Sequence, residues 1–175
     1  MERVELLAEL TRTREDFREL VETATPGELR HPTDGTKWNN EQLLFHMLFG
    51  YLLVRNLRPL VRLLSRLPAG VSRRFAAALN AGTRPFHVIN YVGSLGGARV
   101  LGRARMIGLM DRVTHDLQTA VERATDAELA RGMHFPVGWD PYFRDYMTFR
   151  DVYHYATQHY EHHRRQLTLP RARDT

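Results

Sequence analysis

The sequence predicts an all-α protein, a four-helix bundle that contains one long crossover connection. Four long stretches repeat apolar residues with the period of an amphipathic helix, while a stretch rich in glycine and proline separates the second from the third. One long connection among four helices is typical of a crossover bundle and not of a simple up-down bundle. With 175 residues, 43% of them apolar, the chain can bury one full core. We expect a single domain over residues 1–170 and a short C-terminal tail at 171–175.

The first two helices are expected over residues 2–23 and about 40–66. The first carries apolar residues with charges between them and is followed by Thr25-Pro26-Gly27, a sequence typical of a helix stop. Either Asn39 or Asn40 can cap the second helix. Because Pro59 falls inside the second helix, we expect a kink or a split there.

The middle of the chain is expected to contain a short helix at 72–80, then a loop that extends to residue 97. Five residues, Gly82, Pro85, Gly93, Gly96 and Gly97, favour the loop. Residues 86–92 have the composition of a strand, although no partner strand is evident. A third long helix is expected over 98–124, and a fourth over about 148–167.

The fourth helix holds four of the nine histidines of the chain, at positions 154, 159, 162 and 163. At about 100° per residue, His159 and His163 lie roughly 40° apart on one face. Val152, Tyr155 and Ala156 share that face, so we expect both imidazoles to point inward. Two histidines at i and i+4 can bind one metal ion together. His162 could replace His163 in this pair, because it stands at i+3 from His159.

A third ligand is needed for a catalytic metal with an open position, and His46 is the candidate. It shares a face of the second helix with Leu43, Gly50 and Leu53. A single inward histidine is more often a core residue than a ligand, but two further inward histidines favour a metal site. The sequence therefore predicts metal ligands at His46, His159 and His163, and it identifies no catalytic residue.

The composition excludes several classes of site and of location. The chain has no cysteine, so thiolate metal sites, disulfides and a cysteine nucleophile are excluded. Its first ten residues are charged and amphipathic, unlike a signal peptide. No uncharged apolar run is long enough to span a membrane. We expect a cytoplasmic protein.

The positive charge is concentrated in the middle of the chain. Between Glu41 and Asp111 there are ten arginines and no acidic residue. Such a block can attract nucleic acid or an acidic membrane surface, or it can be an ordinary solvated face. We favour the solvated face and expect neither partner. The arginines at 55, 58, 62 and 66 lie opposite His46 on the second helix, so they are not expected to line a histidine pocket.

Two short motifs resemble the DinB/YfiT-like superfamily of four-helix-bundle proteins. The first places Trp38 before a helix that carries His46. The second is His159, three residues, His163, then Arg164, Arg165 and Gln166, where the family often has Arg-Gly-Gln. Arg165 thus replaces the usual glycine. The order and the spacing of the motifs agree with the family over nearly the whole chain.

The resemblance implies a divalent metal, commonly nickel, zinc or iron, held by three histidines with positions open to water. It also implies a homodimer and, in some relatives, a transferase or isomerase activity that uses a low-molecular-weight thiol as cosubstrate. We therefore expect a metal-dependent transferase or hydrolase that acts on a small-molecule substrate. The alternatives are a metal-stabilised structural bundle without catalysis and a basic module that binds anionic surfaces.

Several residues near the motifs have two interpretations. Trp38 either lines the mouth of the pocket or packs as a hydrophobic staple. Gln166 either orients an imidazole or caps a carbonyl group. His154 is expected at the surface. Four apolar residues face away from His46 on the second helix and form either a dimer interface or a surface that residues 70–97 cover; they are Leu44, Leu48, Tyr51 and Leu52.

Overall fold

A computed structural model describes residues 1–169 and shows the predicted all-α bundle. Its four long helices are α1 (Arg3–Thr23), α3 (Asn40–Leu64), α5 (Thr83–Arg123) and α7 (Phe149–Arg164). Both α1 and α3 pack against α5 and α7, so α1 and α3 lie diagonally across the core. Among the described residues, no helix has the combination of length and hydropathy that a membrane span requires. The predicted boundary at residue 170 and the tail at 171–175 lie outside the described residues.

Shorter elements connect the long helices. Two of them are expected connections, α2 (Pro26–Arg30) and α6 (Asp126–Leu129), and a third, α4 (Ala69–Ala81), is the predicted short helix with one added turn. Two short antiparallel strands, β1 (Gly132–His134) and β2 (Tyr146–Thr148), were not predicted. The loop that precedes α7 lies between these two strands.

The N-terminus of α3 is capped by Asn39. Its side chain accepts a hydrogen bond of 2.9 Å from the backbone N–H of Gln42, and the Gln42 side chain accepts one of 3.0 Å from the backbone N–H of Asn39. Of the two outcomes expected at Pro59, a split was wrong, because α3 continues to Leu64, and a kink stays a prediction. Pro59 has no backbone N–H, so one backbone carbonyl of the preceding turn lacks its helical partner. Because Pro59 is exposed, water can hydrogen-bond to that carbonyl.

The predicted loop at 82–97 was wrong, and so was the strand considered at 86–92. Both segments belong to α5, which begins at Thr83 and is interrupted at Gly102, where φ is +65°. We call residues 83–101 the N-terminal part of α5 and residues 103–123 its C-terminal part. The long crossover between the second and third bundle helices therefore exists, but it is mostly helical.

Close packing explains one of the glycines that favoured a loop in the sequence. A Cβ atom added at Gly97 would lie 2.1–2.6 Å from three ring atoms of Phe45 on α3. Glycine therefore lets the N-terminal part of α5 approach α3, at the cost of about 1 kcal/mol of helix propensity. An added Cβ at Gly96, by contrast, meets no atom within 4 Å.

The expectation of an apolar patch on the outside of α3 was also wrong. Leu44, Leu48 and Tyr51 are all 0% exposed within the single chain, and Leu52, the fourth residue of that set, is partly buried. The Tyr51 hydroxyl donates a 2.8 Å hydrogen bond to Thr13 of α1 and lies 3.3 Å from the Thr157 hydroxyl of α7. Because α3 is surrounded by three helices, these residues form its core face. A homodimer, which the sequence resemblance implies, would need another surface.

The two adjacent glycines provide a direct test of this packing. We expect Gly97→Ala to lower the free energy of unfolding by about 1–3 kcal/mol, because the new methyl group overlaps the Phe45 ring. Gly96→Ala is the matched control and should raise the free energy of unfolding by about 0.5–1 kcal/mol through helix propensity. Urea unfolding measures both variants. Equal effects of the two substitutions would contradict a helix at 83–101 that packs on Phe45.

Candidate metal centre

Three histidine side chains from two helices meet inside the bundle. His46 comes from α3, and His159 and His163 lie one turn apart on α7. The ring centroids form a nearly equilateral triangle with sides of 4.9, 4.6 and 4.6 Å. One nitrogen from each ring lies within 4.8 Å of the other two, and His46 and His159 are buried. The structure thus brings together the three histidines that the sequence selects.

The tautomer of His46 follows from its neighbour Ser94, in the N-terminal part of α5. The Ser94 hydroxyl donates its only hydrogen to the backbone carbonyl of Asn90, at 2.9 Å. Its oxygen lies 3.2 Å from Nδ1 of His46, so it must accept the hydrogen from that nitrogen. The lone pair of His46 is therefore on Nε2 and free to bind a ligand.

The other two histidines have the same tautomer. Nδ1 of His159 lies 3.0 Å from a carboxylate oxygen of Asp140, which is in the loop between the two strands. Nδ1 of His163 lies 2.6 Å from Oε1 of Gln166. Each acceptor fixes the proton on Nδ1, so Nε2 carries the lone pair in both rings. Nε2 of His159 is buried and has no hydrogen-bond partner among the described residues.

Asp140 is ionised although it is largely buried. Burial by itself would raise the pKa of this carboxyl, but the hydrogen bonds and charge of its neighbours outweigh that effect and lower the pKa. Its partners besides His159 are the backbone N–H of Tyr142, at 2.9 Å, and the hydroxyl of Tyr155, at 3.0 Å. Asp140 is thereby a fixed anionic acceptor beside the histidine triangle.

Burial keeps His46 and His163 uncharged at neutral pH. It lowers the pKa of His46 to about 2, with further lowering from His159 and His163, whereas Asn90 opposes the change. Burial also lowers the pKa of His163 to about 3, with His159 adding to the effect and Gln166 opposing it. Neutral imidazole is the form that binds a metal.

Aromatic side chains and one glycine enclose the triangle. The Trp38 ring lies 4.4 Å from the His46 ring, and Phe86 stacks on Trp139 at 3.9 Å. An added Cβ at Gly50 would lie 2.7 Å from the His159 ring, so glycine is needed for the ring to approach α3 this closely. The adjoining cavity has a volume of about 20 Å³, which is room for about one water molecule.

The structure also locates the other residues that had two interpretations in the sequence. His162 lies outside the triangle, with its Nδ1 3.2 Å from the Tyr142 hydroxyl. His154 is partly exposed and pairs with Glu9 of α1 at 2.9 Å. Trp38 packs on the site, and Gln166 holds an imidazole. None of the described residues that line the cavity is an arginine, so the arginine row of α3 lies elsewhere, as expected.

Three residues of the site were not identified from the sequence, namely Ser94, Asn90 and Asp140. Ser94 and Asn90 lie in the segment that was expected to be a loop, so no helical face could be assigned to them. Asp140 lies in a loop, where no periodicity relates it to His159. The sequence showed only that Asp140 is an acidic residue in a segment rich in aromatic residues before α7.

The pH dependence of stability tests the buried neutral imidazoles in metal-free protein. The pKa values of His46 and His163 are lowered on folding from 6.5 to about 2 and about 3. The unfolded chain therefore binds more protons below pH 6.5, and the folded protein loses stability as pH falls. Between pH 7 and pH 5 we expect each ring to lower the free energy of unfolding by up to about 2 kcal/mol.

Urea unfolding with a chelator present measures this loss, and two variants control it. His46→Asn should show a weaker pH dependence than the wild type because one of the titrating rings is gone. The exposed His115→Asn is the matched control and should keep the wild-type pH dependence. Identical pH profiles for the wild type and His46→Asn would contradict a buried, neutral His46.

Comparison with known protein families agrees with the fold and the histidine triangle. A family model for the DinB superfamily matches residues 9–167, which include α1 from residue 9 onward, all the later helices and all three histidines. Searches among curated proteins and among solved structures found no match. The family match covers most of the chain, and the chain therefore belongs to the DinB superfamily.

Proposed function

We propose that this protein is a metal-dependent enzyme that acts on a small molecule, either a transferase or a hydrolase. His46, His159 and His163 would bind one divalent ion through their Nε2 atoms. One observation carries the proposal: all three Nδ1 atoms have protein acceptors, while the Nε2 atoms are left for a shared ligand. Membership of the DinB superfamily, in which such sites are common, supports it.

The donor set fits a metal ion such as zinc, nickel or iron. Neutral imidazole nitrogen suits these metals, and three protein ligands are typical of a catalytic site that keeps an open position. Two nitrogens bound at ~2.1 Å in tetrahedral geometry are ~3.4 Å apart. The nitrogens here lie within 4.8 Å of one another, so modest side-chain shifts bring them into bonding range.

The protein residues would position the reacting groups and exclude water. Asp140, Ser94 and Gln166 hold the three rings in the ligand tautomer, and the aromatic walls keep bulk water out. A bound metal supplies a Lewis acid that acidifies a water molecule or a thiol near neutral pH. The chain has no cysteine, so a thiol would have to come from a low-molecular-weight cosubstrate.

One observation favours a second candidate, a purely structural metal. The cavity beside the histidines has a volume of only about 20 Å³, and the N-terminal part of α5 covers it with Phe86 and Asn90. A structural site would keep its ion inert in such an enclosure, whereas a catalytic site must exchange a ligand on the ion.

Histidine substitutions test the ligand set. His46→Ala, His159→Ala and His163→Ala should each lose most of the bound metal, because two imidazoles remain where three are needed. His162→Ala and His154→Ala are matched controls on the same helix and should keep about one ion per chain. Metal analysis of protein purified without a histidine tag gives the result. A full metal content in His163→Ala would exclude it as a ligand and point to His162.

Ligand titration of the Co²⁺-substituted protein tests the open position. Azide should change the visible spectrum, because it replaces water on an accessible ion. A further change on addition of 2-mercaptoethanol would support a thiol-dependent transferase, and its absence would favour a hydrolase. A spectrum that responds to neither ligand would refute the enzyme proposal and leave the structural metal.

A further inference from the structure

Three buried side-chain polar atoms lack a hydrogen-bond partner within residues 1–169, and all three surround His46. They are Nε1 of Trp38, Oδ1 of Asn90 and Nε2 of His159. The Trp38 and His159 rings lie 4.4 and 4.9 Å from the His46 ring, and Asn90 lines the same cavity as His46. Buried polar atoms are paired in the great majority of cases, so a cluster of exceptions marks a place where a ligand supplies the partners.

A metal ion bound by the three histidine nitrogens would account for Nε2 of His159, but it would supply no hydrogen-bond donor to the Asn90 oxygen. An unpaired buried oxygen destabilises the folded protein, and a leucine of similar size would avoid that cost. The cavity wall around Asn90 combines apolar residues, among them Phe49, Leu53 and Phe86, with the polar residues Asp140 and Tyr155. Asp140 already accepts hydrogen bonds from Tyr155 and His159, so the Asn90 oxygen is the acceptor of this wall that has no partner among the described residues.

A structural role toward His46 does not explain this oxygen. Nδ1 of His46 already donates its hydrogen to Ser94, and Nε2 carries a lone pair that cannot donate. Asn90 contributes to the placement of the neutral His46 ring through its backbone carbonyl, which binds the Ser94 hydroxyl. Its side chain also raises the pKa of His46, but that is a favourable interaction with the charged ring and not with the neutral one. The side-chain oxygen remains free for a molecule in the cavity.

We propose that Asn90 is a specificity-determining residue, whose side-chain oxygen accepts a hydrogen bond from the molecule at the open metal position. The proposal rests on the proposed metal site. An acceptor at this place selects ligands that keep a proton on the coordinating atom, such as water, an alcohol or an uncharged amine. It selects against ligands without such a proton, such as a thiolate or azide. The site therefore favours bound water over bound thiolate, and a hydrolytic reaction over thiol transfer.

The experiment compares Asn90→Leu with the wild type in two measurements. In the Co²⁺-substituted protein, visible titrations give the affinities for hydroxylamine, which keeps protons on its nitrogen, and for azide, which has none. We expect the substitution to weaken hydroxylamine binding at least about fivefold, the effect of one lost hydrogen bond, and to leave azide binding equal or tighter. Asn56→Leu, at an exposed position on α3, is the matched control and should change neither affinity.

The second measurement uses metal-free protein and separates specificity from structure. Asn90→Leu removes an unpaired buried acceptor, so the melting temperature of the metal-free protein should stay equal or rise. A fall in melting temperature with unchanged ligand selectivity would show a structural role and overturn the proposal. Azide binding that weakens instead would show that the amide N–H₂ faces the ion, and it would also overturn the proposal.

The two proposals fail in different ways. A wild-type protein that binds no metal at the three histidines would refute the metal site and, with it, the role of Asn90. The second case is a wild-type protein that binds metal and exchanges azide. If Asn90→Leu then leaves the selectivity between hydroxylamine and azide unchanged, only the role of Asn90 is refuted.

Discussion

Two of the three imidazole rings inside this bundle, those of His46 and His163, are held there in the uncharged form. The centroids of all three rings lie within 4.9 Å of one another, and two charged rings at that distance would repel strongly in a medium of low polarity. Burial and mutual repulsion lower the pKa of His46 and His163 far enough to prevent this. The neutral state then requires a fixed place for one proton on each ring, and the rest of the site provides it.

The three acceptors come from separate parts of the chain, and this explains the architecture around the bundle. Ser94 lies in the helical crossover, Asp140 in the loop between β1 and β2, and Gln166 just beyond the end of α7. The segment that carries Ser94 can approach α3 because Gly97 leaves room for the Phe45 ring. Gly50 has the same function for the His159 ring. The connections are therefore parts of the site and not merely links between helices.

The sequence predicted what depends on local periodicity. Helical spacing predicted that one face of α7 points inward, that His159 and His163 lie together on it, and that His46 points inward. The structure agrees with all three predictions. Glycines at 93, 96 and 97 lower helix propensity, so the same reasoning predicted a loop where tertiary packing stabilises a helix. Asp140 acts on His159 from a loop with no fixed spacing, and local pattern contains no information about such contacts.

One face of α3 shows how the bundle tolerates a polar centre. That face is formed by Leu44, Leu48 and Tyr51. Those side chains are fully buried, and Tyr51 links α3 to α1 and α7 through the Thr13 and Thr157 hydroxyls, so this part of the core has paired polar groups and apolar packing. At the histidine centre three polar atoms are unpaired, and each costs about 1–3 kcal/mol. A metal ion that binds only the folded protein would return part of that free energy. The well-packed region can offset the cost of the unpaired atoms in the metal-free chain, and a bound metal would reduce that cost further.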